Sequence, residues 1–310
     1  MSTGDRTLWW QRGLPPVGEK AESSMDKALA AAGLDFNVEM RPVAHSWDKD
    51  KWCKSEKVCA VVRDDTETIL GMVTGRYHPI QHRDALSFVT EICENFDAAI
   101  DRVWSRRGRW GADGSRIIVA TSYKRDVDIA GIETVRPWLL FTAGHDGMAG
   151  ITMQVIPVQM HCLNQLPMLK GRGGVHRVVH SPRANDRFRT ATELILAADR
   201  SMDALGLELE RLVSQPMSAK ESSRVVEQAI AGANGSPKAK EDDALQIVRL
   251  MENPMTLPKG AEGTRFAVLH AVTEHYSHIR EYRTREAHER EMTNGRAGAI
   301  CRRTMELLSV

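Results

Sequence analysis

Residues 138–161 read WLLFTAGHDGMAGITMQVIPVQMH. Two β-rich runs, Trp138–Ala143 and Gly150–His161, flank the triplet His145-Asp146-Gly147. Asp-Gly between two such runs is a strong short-range hairpin signal, because a tight turn needs backbone angles that Gly and Asp tolerate. An antiparallel hairpin is therefore expected here, and it sets the reading of the sequence on either side.

Upstream, the same texture recurs. Ile100–Trp104 and Arg116–Tyr123 predict a second hairpin, with Ser105-Arg106-Arg107-Gly108-Arg109-Trp110-Gly111 at its tip. Lys57–Val62 and Thr68–Val73 predict a third, around the turn Arg63-Asp64-Asp65-Thr66, and Phe36–Met40 alternates as a strand does. Residues 44–56, polar but for Trp47 and Trp52, read as a loop. Between the hairpins, Ala85, Leu86, Phe88, Val89 and Ile92 supply the apolar face of a helix over 82–94. A short Ala-rich helix over 25–33 ends at Gly33, and residues 1–22 form an arm that carries Trp9 and Trp10.

Downstream of Phe188 the period changes. Phe188, Ala191, Ile195, Ala198, Met202, Leu205, Leu209 and Leu212 step by three and four, a seam that fits either a subunit contact or packing on the chain's own sheet. Further helices are expected at 219–231, 244–252, 264–292 and 296–308, with a polar linker at 232–243. Strands first and helices afterwards give an α+β class: an antiparallel sheet of hairpins with a packed helix, then a helical C-terminal part. The expected organisation is an arm at 1–22, an α+β core at 23–187 and a helical region at 188–310.

The 42 Lys and Arg against 41 Asp and Glu exclude binding by bulk positive charge but leave room for a local basic groove. Five cysteines, Cys53, Cys59, Cys93, Cys162 and Cys301, have neither an even count nor a CxxC pair. With no leader pattern at the start and no apolar run near the ~20 residues that span a bilayer, a cytoplasmic protein with reduced thiols is expected, with no membrane partner.

Catalytic and metal patterns are weak. The turn explains Asp146 and Gly147 and leaves only His145 over. His176 and His180 fit half of a zinc pattern whose other half, beside Cys162, is missing. His270, Glu274 and His278 recur every four residues, a spacing that a solvated helix edge also produces. Asp64-Asp65 in a turn and Asp242-Asp243 in a linker are poor starts for a metal-dependent nuclease or hydrolase. No catalytic residue, metal site or cofactor is assigned.

Basic segments carry more information. Between Lys170 and Arg189 stand Lys170, Arg172, Arg177, Arg183, Arg187 and Arg189 against the single acid Asp186, among Gly171, Gly173 and Gly174. The second hairpin tip adds Arg106, Arg107 and Arg109 beside Trp104 and Trp110. Cations that follow phosphates and rings that stack on bases are the elements of single-stranded nucleic-acid sites.

Several pieces, in order, resemble the phage- and plasmid-borne family catalogued as domain of unknown function 932. They are Trp10, the stretch Ala32–Glu39, Leu70-Gly71, the Tyr77…Gln81…Ala85-Leu86 block, His145-Asp146-Gly147, Pro157-Val158 with Cys162-Leu163-Asn164, Gly263-Thr264, and Ala271-Val272-Thr273-Glu274…His278. Gly144 and Gln165 depart from the Ser and Thr usual there. The resemblance implies a mobile element of bacteria, and so a bacterial host cell. A further, fold-level likeness to annealing proteins of the Rad52 type implies a role in recombination. The expectation is a non-enzymatic protein that binds DNA, single strands above all, and assembles through the Phe188–Leu212 helix. A protein–protein module acting on a host factor, for takeover or anti-defence, is the alternative.

Overall fold

The computed structural model describes residues 25–48, 51–108, 110–123, 125–160, 164–167, 176–178, 180, 202–293 and 295–310. Its architecture is α+β, as the order of strands and helices implies. A three-stranded antiparallel sheet runs β1 (Val38–Asp48), β2 (Lys51–Arg63), β3 (Ile69–Thr74). A six-stranded antiparallel sheet comes next, built from β4 (Ala98–Arg106), β5 (Arg116–Tyr123), β6 (Val127–Ile129), β7 (Glu133–Gly144), β8 (Ile151–Gln159) and β9 (His176–Val178). Its order is β4-β5-β7-β8-β9, with β6 also paired to β7.

Helix α1 (Met25–Ala31) packs on α2 (His82–Asn95). Helix α2 buries Ala85, Leu86, Val89, Ile92 and Cys93 against β4, β5 and β7, with the rings of Phe88 and Phe141 6.2 Å apart. The interior of the large sheet is apolar on the strands that need it to be. Ile117, Val119, Leu139 and Phe141 are all buried, as a sheet with a covered face requires.

Residues 44–48 and 51–56 are not a loop. They form the outer halves of β1 and β2, with Ala44 opposite Lys54, His45 opposite Cys53 and Ser46 opposite Trp52. The strand β3 pairs with β2 only over 58–62, so this ribbon runs past the end of the sheet. No described element covers it, which is why its residues lack the alternating hydrophobic pattern that marks a half-buried strand.

Among the helical residues 202–214 (α3), Met202, Leu205, Leu209 and Leu212 are buried within the chain itself. That part of the seam is occupied by intramolecular packing; the part from Phe188 to Ala198 lies outside the described residues. Helices α4 (Ala219–Ala231), α5 (Pro237–Glu252), α6 (Arg265–Glu274), α7 (Arg285–Thr293) and α8 (Arg296–Leu308) complete the C-terminal region. Ser218 closes a capping box with Glu221 at the start of α4.

Two helix expectations need correction. Residues 237–243 belong to α5, because Ser236 caps it and Pro237 takes a first-turn position where no N–H is required. The helix expected over 264–292 is interrupted. After α6 comes a π-helical turn, His275–Ile279, closed by Arg280 N–H donating to the His275 carbonyl at 2.7 Å, and the chain then leaves the helix before α7. The gain is burial of His275 and Tyr276 against Asp243 on α5, and this tertiary pairing overrides local helix propensity.

Candidate functional site

The triplet His145-Asp146-Gly147 makes the turn that its sequence requires, with Gly147 at φ +75°. One carboxylate oxygen of Asp146 accepts from the backbone N–H groups of Met148 (3.0 Å) and Ala149 (2.9 Å). The other accepts from Arg116 Nε (3.0 Å) and Nη2 (2.5 Å), and the carboxylate is fully buried. A hairpin tip normally faces water, but this one is wedged between β3 and the β4–β5 loop. Glycines allow the approach: a Cβ on Gly71 would lie 2.4 Å from the His145 carbonyl oxygen, and one on Gly108 would lie 2.6 Å from Asp146 Cβ. His145 N–H donates to the Ser115 carbonyl at 2.7 Å, and Trp110 Nε1–H donates to the Asp146 carbonyl at 3.3 Å.

Side chains from four segments meet behind the turn. His145 Nδ1 lies 3.0 Å from the Tyr77 hydroxyl, which also reaches the Gly144 carbonyl at 3.3 Å. His82 Nε2–H donates to the Gly114 carbonyl at 3.0 Å. The rings of His82 and His145 meet edge to face at 4.9 Å, and Tyr77 stacks on His180 at 4.7 Å. Burial drives all three imidazoles toward the neutral form. It pushes His82 and His180 down to about 4 and His145 well below its ordinary range. Burial also raises the Tyr77 hydroxyl, with the Asp146 charge adding to it. Enclosed neutral rings of this kind lock two sheets together. Among the described residues no group of three or more His, Cys, Asp and Glu is placed to hold a metal ion.

The sequence-derived basic residues divide. Arg106 and Arg116 stand directly opposite each other at the end of β4 and β5, and Arg107 pairs with Asp113 (2.5 Å). Trp110 is 56% exposed. Trp104 is not available for stacking: it is 2% exposed, an inward residue of β4 opposite Ile118, so core packing explains it. Arg177 stands on β9 opposite Thr152 of β8. Arg109, Lys170, Arg172, Arg183 and Cys162 lie outside the described residues. Asn164 is fully buried; its carbonyl accepts from Gln159 N–H at 2.9 Å, while its side-chain amide has no hydrogen-bond partner among the described residues.

The C-terminal helices hold polar clusters whose spacing alone suggests solvent. His270 and Glu274 are 1% and 2% exposed and share the Thr256 hydroxyl, which donates to Glu274 at 2.6 Å and lies 3.2 Å from His270 Nε2. Asp243 is buried and accepts from Tyr276 (3.0 Å), His275 (3.1 Å), Arg280 and Arg296. Burial works against the Asp243 charge, yet the hydrogen bonds from His275 and Arg296 and the Arg280 charge win and hold its carboxyl below the usual range. The spacing Asp243, Ile247, Leu250 at steps of four and three is the sequence signal for a buried position there.

A family model, Domain of unknown function (DUF932), matches residues 69–297, about three quarters of the chain. The match covers the Tyr77, His145-Asp146-Gly147, Asn164 and Glu274 pieces, whereas Trp10 and Ala32–Glu39 precede it. No curated protein and no solved structure matches the chain, so the likeness to Rad52-type annealing proteins gains no support. No helix among the described residues is long and apolar enough to cross a membrane.

Proposed function

The chain belongs to the DUF932 family, whose function is unknown, and we propose that this protein is a non-enzymatic nucleic-acid-binding protein that prefers single strands. One observation carries the reading. Sheet topology gathers the basic β4–β5 tip and β9, a strand within the Arg-rich 170–189 region of the sequence, at the same end of the large sheet. Arg106 and Arg116 face each other there, and Asp146 pairs with Arg116 from inside the fold. From β4 to β9 is four strand spacings, roughly 19 Å, room for several nucleotides along a backbone. Trp110, exposed at the same end, supplies a ring.

The test is fluorescence anisotropy with a labelled single-stranded oligonucleotide and the matching duplex across a salt series. Tight, salt-sensitive binding that favours the single strand is expected. Arg106→Ala and Arg177→Ala should each weaken it across all sequences and lower the salt slope by about one. No binding at low salt overturns the proposal.

A second reading, a protein–protein module for a host factor, rests on an open groove of about 480 Å³ between α4 and α5. Val226, Ile230, Ala244, Leu245 and Val248 line it, and Leu245 is 49% exposed. An apolar groove between helices is a common seat for an amphipathic helix. Leu245→Asp abolishing complex formation with a host protein, while oligonucleotide binding persists, would favour this reading.

A further inference from the structure

The outer ribbon of β1 and β2 precedes the family-matched residues and takes no part in the sheet end. Its paired stretch, Ala44–Asp48 against Lys51–Lys54, takes four residue steps of β1, roughly 13 Å at ~3.3 Å each. Pairing shifts between Pro42 and Ala44, and such an irregularity re-aims a strand. A lone two-stranded ribbon is marginal in water, and this one buries little of its own: Ala44, His45, Ser46, Lys51, Trp52, Cys53 and Lys54 are all exposed.

Its side chains are not a generic solvated surface. Trp52 is 71% exposed, more open than Trp110. It shares a ribbon face with Ser46 directly opposite and with Lys54 and Ala44 one pair further along. Small neighbours leave the indole face open, and a cation stands beside it. The arginines at the base of the small sheet are neutralised, Arg41 by Glu39 and Glu67 and Arg63 by Asp65. Lys54 makes no ion pair with any described residue, whereas Lys51 stands opposite Asp48 at the far end of the ribbon.

We infer that the β1–β2 ribbon is a second nucleic-acid contact, with Trp52 stacking on a base of a single strand and Lys54, on the same ribbon face, meeting its phosphate. This rests on the nucleic-acid reading given above and extends it to residues outside the large sheet. Stacking of this kind tolerates any sequence, because every base offers a ring face.

The test uses the full chain and labelled 30-nucleotide poly-dT, with a duplex of equal length alongside. Trp52→Ala, Trp52→Phe and Lys54→Ala are compared with wild type and with Arg106→Ala. Trp52→Ala is expected to weaken single-strand binding about tenfold, with Trp52→Phe recovering most of it and duplex binding changing little. Lys54→Ala is expected to lower the salt slope by about one. If Arg106→Ala weakens binding and the ribbon variants do not, the ribbon inference falls while the sheet-end reading stands. Equal loss on single strand and duplex, or no rescue by Phe, overturns stacking. A change in oligomeric mass with Trp52→Ala assigns the ribbon to a contact between copies and overturns the inference. If wild type binds neither probe, both readings fail.

Discussion

The Tyr77 hydroxyl lies 3.0 Å from His145 Nδ1, linking positions 68 residues apart, and the same oxygen reaches the Gly144 carbonyl. One phenol thus ties the loop after β3 to the end of β7. Tyr77→Phe removes the oxygen and leaves a buried imidazole nitrogen without a partner, which costs about 1–3 kcal/mol. Urea denaturation should show a lower midpoint with an unchanged slope. An unaltered midpoint would mean that the contact contributes nothing net.

Close backbone approach gives a sharper contrast. Gly71→Ala would set a methyl 2.4 Å from a backbone oxygen that cannot swing away, whereas a Cβ on Gly75 would meet nothing within 4 Å. The first substitution should destabilise by about 3 kcal/mol or more, and the second should be neutral or stabilising by up to ~1 kcal/mol. Thermal melts of the two variants, four residues apart, check this directly. Equal melting temperatures would show that β3 is not locked to the turn.

Acid should unfold the protein earlier than its carboxylates alone would. His82 and His180 are held at about 4 by burial, against an ordinary value of 6.5. Between these values the unfolded chain binds protons that the folded chain does not, so stability rises with pH there. It is lost as pH falls through 6.5 toward 4, at up to about 1.4 kcal/mol per pH unit for each histidine. Below that range Asp243, whose carboxyl is depressed, adds its own loss. Chemical denaturation at about pH 7, 6, 5 and 4.5 should show this slope, and His82→Asn should reduce it.

Asp243→Ala should be the most damaging single change in the C-terminal region. It leaves Arg280 and Arg296 beside a cavity with no carboxylate, and breaking a buried ion pair costs about 3–5 kcal/mol. Circular dichroism during thermal unfolding should record the drop. A variant as stable as wild type would show that the two guanidinium groups find solvent.

The regular hairpins are legible in sequence because burial writes a pattern into them. Trp138–Ala143 and Gly150–His161 correspond to β7 and β8, and the 82–94 helix to α2. Where burial and pattern part company, legibility ends. The ribbon of 44–48 against 51–54 is paired but uncovered, so its strands carry no alternation. His270 and Glu274 look like a solvated edge because their spacing fits one equally well, and only the tertiary neighbours Thr256 and Gln159 show otherwise. Trp104 misleads for a related reason: its flanking arginines suggest a surface, but alternation along β4 turns it inward. At the hairpin tip the turn itself is readable, but its burial depends on Gly71 and Gly108, whose distant partners no local pattern reveals.

The π-helical turn at His275–Ile279 has a consequence for chain length. Such a turn is an α-helix with one residue too many, and each added residue rotates the downstream chain by about 100°. Deleting one residue there would restore regular winding and swing Arg280 away from Asp243. The ion cluster is therefore encoded as much by the number of residues between Glu274 and Arg280 as by their identities. A frame-preserving deletion in this short stretch should be far less tolerated than any substitution of the exposed Ile279.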